Sequence, residues 1–212
     1  MEKFFTVRSE KNYKISVEVV AGHFATSSAH RSHYIEIAEL KSCVSAAKGA
    51  ACELAIPYLS SELVDIIVYM DGTEIIAAYL ADELLQEGVN VMNEGSEIHV
   101  VTPMIRADGH FIFHQSMHEK IKNKNVVLLV ASMSTGATVN TILECLNYYG
   151  CNLVGISAIF SAVNDVNGKK INSLFTTEEI PDYHFYSTSE CPMCKEGIKL
   201  DAVFSSEGYT KL

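Results

Sequence analysis

The sequence predicts an α/β fold with a mostly parallel central sheet flanked by helices, and three observations carry that expectation. Helical and strand-like patterns alternate from about Lys41 onward, the strand-like runs are almost wholly apolar, and glycine or proline closes several of the segments. Sheets of this kind bind ligands beyond the carboxyl ends of their strands. Val44, Ala47, Ala51, Leu54, Ala55 and Tyr58 recur at helical spacing and lead into VDIIVY at 64–69, which reads as a short buried strand. A helix over 74–86 carries Ile75, Ile76, Tyr79, Leu80, Ala81 and Leu84 on an apolar face and stops at Gly88. IHVV at 98–101 is the next strand, ended by Pro103. NVVLLVA at 125–131 is the most apolar strand, and a small-residue loop joins it to a helix over 139–149. Val139, Ile142, Leu143 and Leu146 form the stripe of that helix, and Gly150 closes it. LVGISAIF at 153–160 supplies a further strand.

At 212 residues the chain suits one domain with a sizeable core and no need of staples. Its net charge of −10, with 48% hydrophobic and 20% charged residues, describes a compact acidic protein. Such a surface lacks the basic field that holds a nucleic-acid backbone, so nucleic acid is not expected as a partner, whereas a small phosphorylated molecule is. No apolar run approaches the roughly 18 to 20 residues of a membrane-spanning helix. The first thirteen residues are too charged for a signal peptide, so a cytoplasmic location away from membranes is expected. Six cysteines spread over the chain read as mostly buried thiols of a reducing compartment.

The loop Ser132-Met-Ser-Thr-Gly-Ala-Thr138 sets hydroxyls and a glycine between a buried strand and a helix N-terminus. Free N–H groups of the first turn, the positive end of the helix dipole and the hydroxyls of Ser134, Thr135 and Thr138 can donate to a phosphate, while Gly136 lets the backbone approach. A plain helix cap needs only one Ser or Thr, and that reading stays open. His110, His114 and His118 fall at i, i+4 and i+8, which stacks three imidazoles if a helix runs that far. A solvated face explains them more simply than a metal. Cys191-Pro-Met-Cys194 is half of a tetrahedral zinc site or a redox pair, with His184 as the nearest upstream candidate ligand. With no second CxxC, a structural turn packed by two thiols is the plainer account, and no metal is assigned.

Four segments, in this order, resemble the type I phosphoribosyltransferases, and among them the orotate phosphoribosyltransferases. They are GHFATSSAHRSHYIEI (22–37), VDIIVYMDGTEIIAAYLADEL (64–84), NVVLLVASMSTGAT (125–138), and INSLFTTEEIPDY with ECPMCKEGIKL (171–183 and 190–200). The resemblance implies an α/β core over 41–165, an N-terminal substrate and hood segment over 1–40 and a C-terminal tail over 166–212, all in one domain and paired as a homodimer. It implies phosphoribosyl pyrophosphate, a nucleotide monophosphate or a sugar phosphate as ligand, with magnesium if the protein is catalytic. Ser132, Ser134, Thr135, Gly136, Ala137 and Thr138 would hold the 5′-phosphate, and Asp71, Gly72 and Thr73 the pyrophosphate. Phe24, Ser28, His30 and Arg31 would face the base, and Arg106 would stand near the position of the family's mobile catalytic lysine.

The departures bear on activity. Val130 and Ala131 stand where the family has two adjacent carboxylates for the ribose hydroxyls, and neither side chain accepts a hydrogen bond. Glu74 enters the pyrophosphate loop, where a carboxylate repels an incoming anion unless it turns away, and Thr26 replaces a lysine. Three readings follow: an orotate-like transferase of weak or altered activity, a nucleotide- or sugar-phosphate-binding protein on the same fold without turnover, and a scaffold in which 134–138 is only a cap.

Overall fold

Each apolar run expected as a strand forms one, and the runs meet in a single sheet. The computed structural model describes residues 4–26, 29–87, 92–205 and 208–212. Its elements begin with strands β1 (Phe5–Arg8), β2 (Ser16–Ala25) and β3 (Ala29–Glu36), then helices α1 (Ala38–Ser42) and α2 (Val44–Ala55). Next come β4 (Ile66–Tyr69), α3 (Glu74–Leu85), β5 (His99–Val101), the short strands β6 (Met104–Ile105) and β7 (Phe111–Ile112), and α4 (His118–Ile121). The chain continues with β8 (Asn125–Met133), α5 (Ala137–Tyr148), β9 (Asn152–Ser161), β10 (Asp165–Val166) and β11 (Lys169–Thr176). It finishes with β12 (Phe185–Ser187), α6 (Pro192–Lys195), β13 (Ala202–Ser205) and β14 (Gly208–Lys211).

The central sheet has the order β10-β11-β9-β8-β4-β5 and is parallel throughout except for β10 at its edge. Alternate residues of β4 and β8 enter different cores, Ile67, Val127 and Leu129 on one face and Ile66, Val68, Val126 and Leu128 on the other. A strand buried on both faces has no polar alternation to show, which is why these segments read as continuous apolar runs. Helices α2 and α3 cover the first face through Ala47, Ala51, Leu54, Ile76 and Leu80, and α5 covers the second through Val139, Ile142 and Leu146. Helix α3 ends at Leu85, and the expected stop at Gly88 lies outside the described residues.

The second sheet, β12-β3-β2-β13-β14 with β1 against β2, is built from both ends of the chain. Strand β13 runs parallel beside β2, pairing Ala202 with Phe24, and β12 runs antiparallel beside β3. Its inner face, with Val7, Val17 and Val19, joins the core of the central sheet. Among the described residues, its own satellite core holds Val20, Phe24 and Ala202 as buried residues. The boundary read at 166 moves: β11 is a full member of the central sheet, paired with β9 from Ile171 to Thr176. Lys169, Lys170 and Asn172 break its apolar pattern: the two lysines pair with the two-residue edge strand β10 and remain exposed, and Asn172 is half-buried.

Candidate functional site

Strands β4 and β8 are neighbours in register, Tyr69 opposite Leu129, so the loops that leave their carboxyl ends emerge side by side. The Met70 N–H donates to the Leu129 carbonyl at 2.9 Å and carries the pairing one residue past β4. The chain then turns through Asp71 (φ 58°) and Gly72 (φ 75°), both left-handed, into the N-terminus of α3. Thr73 is fully buried and its hydroxyl donates to the Met70 carbonyl at 2.8 Å, which locks the turn. Glu74, the first residue of α3, is exposed. Its charge sits at the favourable end of that helix dipole and in water.

Strand β8 extends two residues further than the apolar run alone shows, so Ser132 is a strand residue, exposed and opposite Phe160 of β9. The loop proper is Ser134–Gly136, followed by α5 from Ala137. Gly136 has φ 75°, and a side chain there would crowd Val166 Cγ2 at 3.0 Å, so both conformation and space require glycine. No side chain of Gly136 caps α5, and the Thr135 hydroxyl receives the Ala137 N–H only at 3.4 Å. The Ser134 side chain is 7% exposed, and its Oγ is a buried polar atom without a hydrogen-bond partner among the described residues. Thr138 lies exposed on the first turn of α5. Donors are thus gathered at one strand-to-helix turn, the arrangement that suits a phosphate.

Val130 and Ala131 end the buried stretch of β8 at 3% and 4% exposure, in the cores of opposite faces of the sheet. A carboxylate reaches Ala131 from the neighbouring loop. Asp71 accepts the Ala131 N–H, and burial raises its pKa above the usual carboxylate range, against the opposing pull of Lys41 and of that hydrogen bond. Lys41, on α1, reaches the same loop and donates from Nζ to the Asp71 carbonyl at 2.9 Å. Sequence reading missed Lys41, because nothing local to residues 38–42 tells that the helix end abuts a loop thirty residues on.

Arg106 sits at the tip of the β6–β7 hairpin, exposed, with Nε 3.4 Å from Asp108 Oδ2. Asp108 also takes His110 at 3.3 Å, so the tip is charge-paired within itself. The stack of three histidines does not form. Residues 109–114 are hairpin and extended chain, and α4 starts only at His118, because β7 buries Phe111 and Phe113 follows it into the same core. His114 instead bonds Ser116 at 2.8 Å, and His118 meets the Phe113 carbonyl at 3.0 Å beside the Tyr149 ring.

The N-terminal substrate segment is placed differently from expectation. Phe24 is 1% exposed in the satellite core against Tyr34, so it has no free face on which to stack a base. Arg31 lays its guanidinium 4.9 Å from the Phe204 ring centroid. Ser28 lies outside the described residues. His30 turns to the C-terminal segment, where it meets His23, Cys191 and Cys194, whose ligand atoms all lie within 4.8 Å of one another. His184, the candidate partner of the cysteines from spacing, is exposed elsewhere and bonds Ser32 through its backbone. Strands β2 and β3 pair Ala25 with His30, which sets His30 diagonal to His23 on one face. The cysteines carried no signal of their approach to it.

The fold is that of the type I phosphoribosyltransferases. A phosphoribosyltransferase from Corynebacterium diphtheriae is similar with a TM-score of 0.53 at 15% identity, covering 75% of this chain and 90% of that one. The orotate phosphoribosyltransferase of Mycobacterium tuberculosis H37Rv, solved with Fe(III) dicitrate, is similar with a TM-score of 0.52 at 13% identity over 78% of this chain and 93% of that one. In sequence the chain is orotate phosphoribosyltransferase-like. It is 26% identical over 196 residues to the orotate phosphoribosyltransferase of Chlorobaculum parvum, covering 90% of this chain and 91% of the relative. It is 25% identical over 192 residues to that of Caldicellulosiruptor saccharolyticus, with 89% and 91% covered. No protein-family model matches the chain. Among the described residues, no helix is long and apolar enough to cross a membrane.

Proposed function

We propose that the chain binds a phosphoribosyl compound through the 5′-phosphate loop at 134–138 and transfers its ribose 5-phosphate group to a pyrimidine-like base only weakly. The observation that carries this reading is the Ser134 hydroxyl, buried and without a partner at the N-terminus of α5. A buried hydroxyl left unmatched costs about 1–3 kcal/mol, and a phosphate oxygen would remove that cost. The N–H groups of the first turn of α5 and the close approach at Gly136 serve the same anion. Transfer at the anomeric carbon needs the donor positioned and the leaving pyrophosphate neutralised, with no covalent nucleophile. Val130 and Ala131 give the ribose hydroxyls no acceptor, and Arg106 is spent on Asp108, so both requirements are poorly met.

Magnesium belongs to this proposal as a companion of the pyrophosphate, where it would neutralise charge on the leaving group. Asp71 is the carboxylate that fits it: half-buried at the strand ends, held by the Ala131 N–H, with its pKa raised by burial and so poorly solvated. Lys41 holds the turn that presents it. The homodimer implied by the resemblance is kept as part of the proposal and is read by light scattering.

The second reading, binding without turnover, draws on the apolar side chains of Val130 and Ala131 at the strand end, and one experiment separates the two readings. Isothermal titration with phosphoribosyl pyrophosphate plus magnesium is run beside ribose 5-phosphate and orotidine monophosphate. Magnesium-dependent binding of the donor supports the transferase. Binding of the monophosphates alone supports a phosphate-binding protein, and no binding of any of them refutes both.

A further inference from the structure

We propose that His23, His30, Cys191 and Cys194 hold one zinc ion in a closed structural site that clasps the C-terminal segment to the N-terminal sheet. Four facts carry it. The ligand atoms face one another: His23 Nε2 to His30 Nδ1 is 3.0 Å, and Cys191 Sγ to His23 Nε2 is 3.4 Å. Cys194 Sγ lies 3.7 Å from His23 Nε2 and 3.3 Å from His30 Nδ1. A tetrahedron with Zn–N of about 2.05 Å and Zn–S of about 2.3 Å has N···N edges of about 3.3 Å, N···S edges of about 3.6 Å and an S···S edge of about 3.8 Å. These four edges lie within about 0.3 Å of the corresponding values, and the Cys191–Cys194 and Cys191–His30 edges lie within 4.8 Å.

The second fact is the orientation of His23. Its Nδ1 lies 2.9 Å from the Ile198 carbonyl, an acceptor, so Nδ1 carries the proton and Nε2 presents its lone pair to the group. An imidazole whose far nitrogen donates to a carbonyl is the usual outer support of a metal-ligating histidine. Third, three of the four ligands, His23, His30 and Cys191, are buried at 1%, 6% and 1% exposure, and Cys194 closes the group from the exposed side. Fourth, the turn is a C-x-x-C at the start of α6, with Lys195 and Gly197 returning N–H bonds to the Cys191 and Cys194 carbonyls, which points both sulfurs the same way.

Two thiolates and two imidazoles in a tetrahedron select zinc over hard cations that prefer oxygen. All four positions are filled by protein, so no site remains for a reacting water, and the role is structural. The need for it is visible in the packing: the satellite core at this end of the sheet holds three buried residues, and the clasp joins segments more than 160 positions apart.

The test is metal analysis of protein purified without a metal-affinity tag, followed by chelation and cobalt titration. One zinc per chain is expected, with a cobalt form showing tetrahedral d–d bands and thiolate charge transfer. Changes outside the ligand set cost roughly 10–100-fold in metal affinity, so Cys194→Ser and His30→Ala should each weaken zinc by more than roughly 100-fold, while His184→Ala should leave it unchanged. Chelated wild-type protein, regaining zinc and its original Tm on reconstitution, answers the question even if a variant fails to fold. Absence of bound metal with no uptake of zinc or cobalt overturns the site. So does undiminished zinc affinity in Cys194→Ser and His30→Ala.

Discussion

Ser134 and Asp71 lie at the adjacent strand ends in environments that work against the folded state and for a ligand. Ser134 buries a hydroxyl with no partner, so Ser134→Ala should leave Tm unchanged or slightly raised. The same variant should weaken ribose 5-phosphate by roughly ten- to a hundredfold, as expected for the loss of a hydrogen bond to a charged group. Titration calorimetry and thermal unfolding on one preparation read both effects, and a variant that binds normally removes Ser134 from the site. Asp71 has its pKa raised by burial. A carboxyl of this kind binds its proton more tightly when folded than when unfolded. Its contribution to stability is therefore most favourable below the unfolded value near pH 4 and declines as pH rises through the folded value. Asp71→Asn should accordingly raise Tm at neutral pH, flatten the decline of Tm just above about pH 4, and abolish any magnesium dependence of donor binding. A lowered Tm at pH 7 would show that the pairing with Lys41 outweighs the burial.

At the level of elements, the central sheet depends on a contact between α2's end and β9. Tyr58 follows α2 and lies directly over Gly155, where an added Cβ would fall on the ring, and its hydroxyl is 2.9 Å from Ser157 Oγ. Asn172 of β11 donates to the same Ser157 at 3.3 Å and to the Leu54 carbonyl at 3.0 Å, so helix and two strands share one buried network. The ring cannot give way without breaking that network. Gly155→Ala should cost about 1–3 kcal/mol, with Tm falling by roughly 2–4 °C per kcal/mol. Tyr58→Phe keeps the packing and should cost only about 1 kcal/mol. Equal losses in the two variants would mean that the hydrogen bonds, not the close approach, hold the helix. The apolar spacing that contains Tyr58 was legible in the sequence, and so were β4, β8 and β9, because a strand buried on both faces shows itself as an unbroken apolar run. Strand β11 and the β6–β7 hairpin were not legible, since a strand with polar residues where it meets β10 and a two-residue ladder draw their stability from neighbours rather than from a pattern of their own.

Across the whole molecule, the two chain ends form one sheet on top of an α/β core. The central sheet has extensive cores on both faces, whereas the far end of the terminal sheet has three buried residues and, on the proposal above, one metal. Chelation should therefore act regionally. Hydrogen exchange should speed up in β12–β14 and in the parts of β2 and β3 around His23 and His30, while β4, β8 and β9 keep their protection. Uniform acceleration would instead mean that both sheets unfold as one unit. The sequence alone determined the α/β class, the central strands, the main helices and the hydroxyl-rich loop, because each is written in contiguous residues whose periodicity or composition reports burial directly. Only the tertiary structure decided that Lys41 meets the Asp71 turn and that His23 and His30 meet Cys191 and Cys194. Those meetings follow from strand order and register, which bring together residues up to 171 positions apart, and no local pattern encodes such a distance.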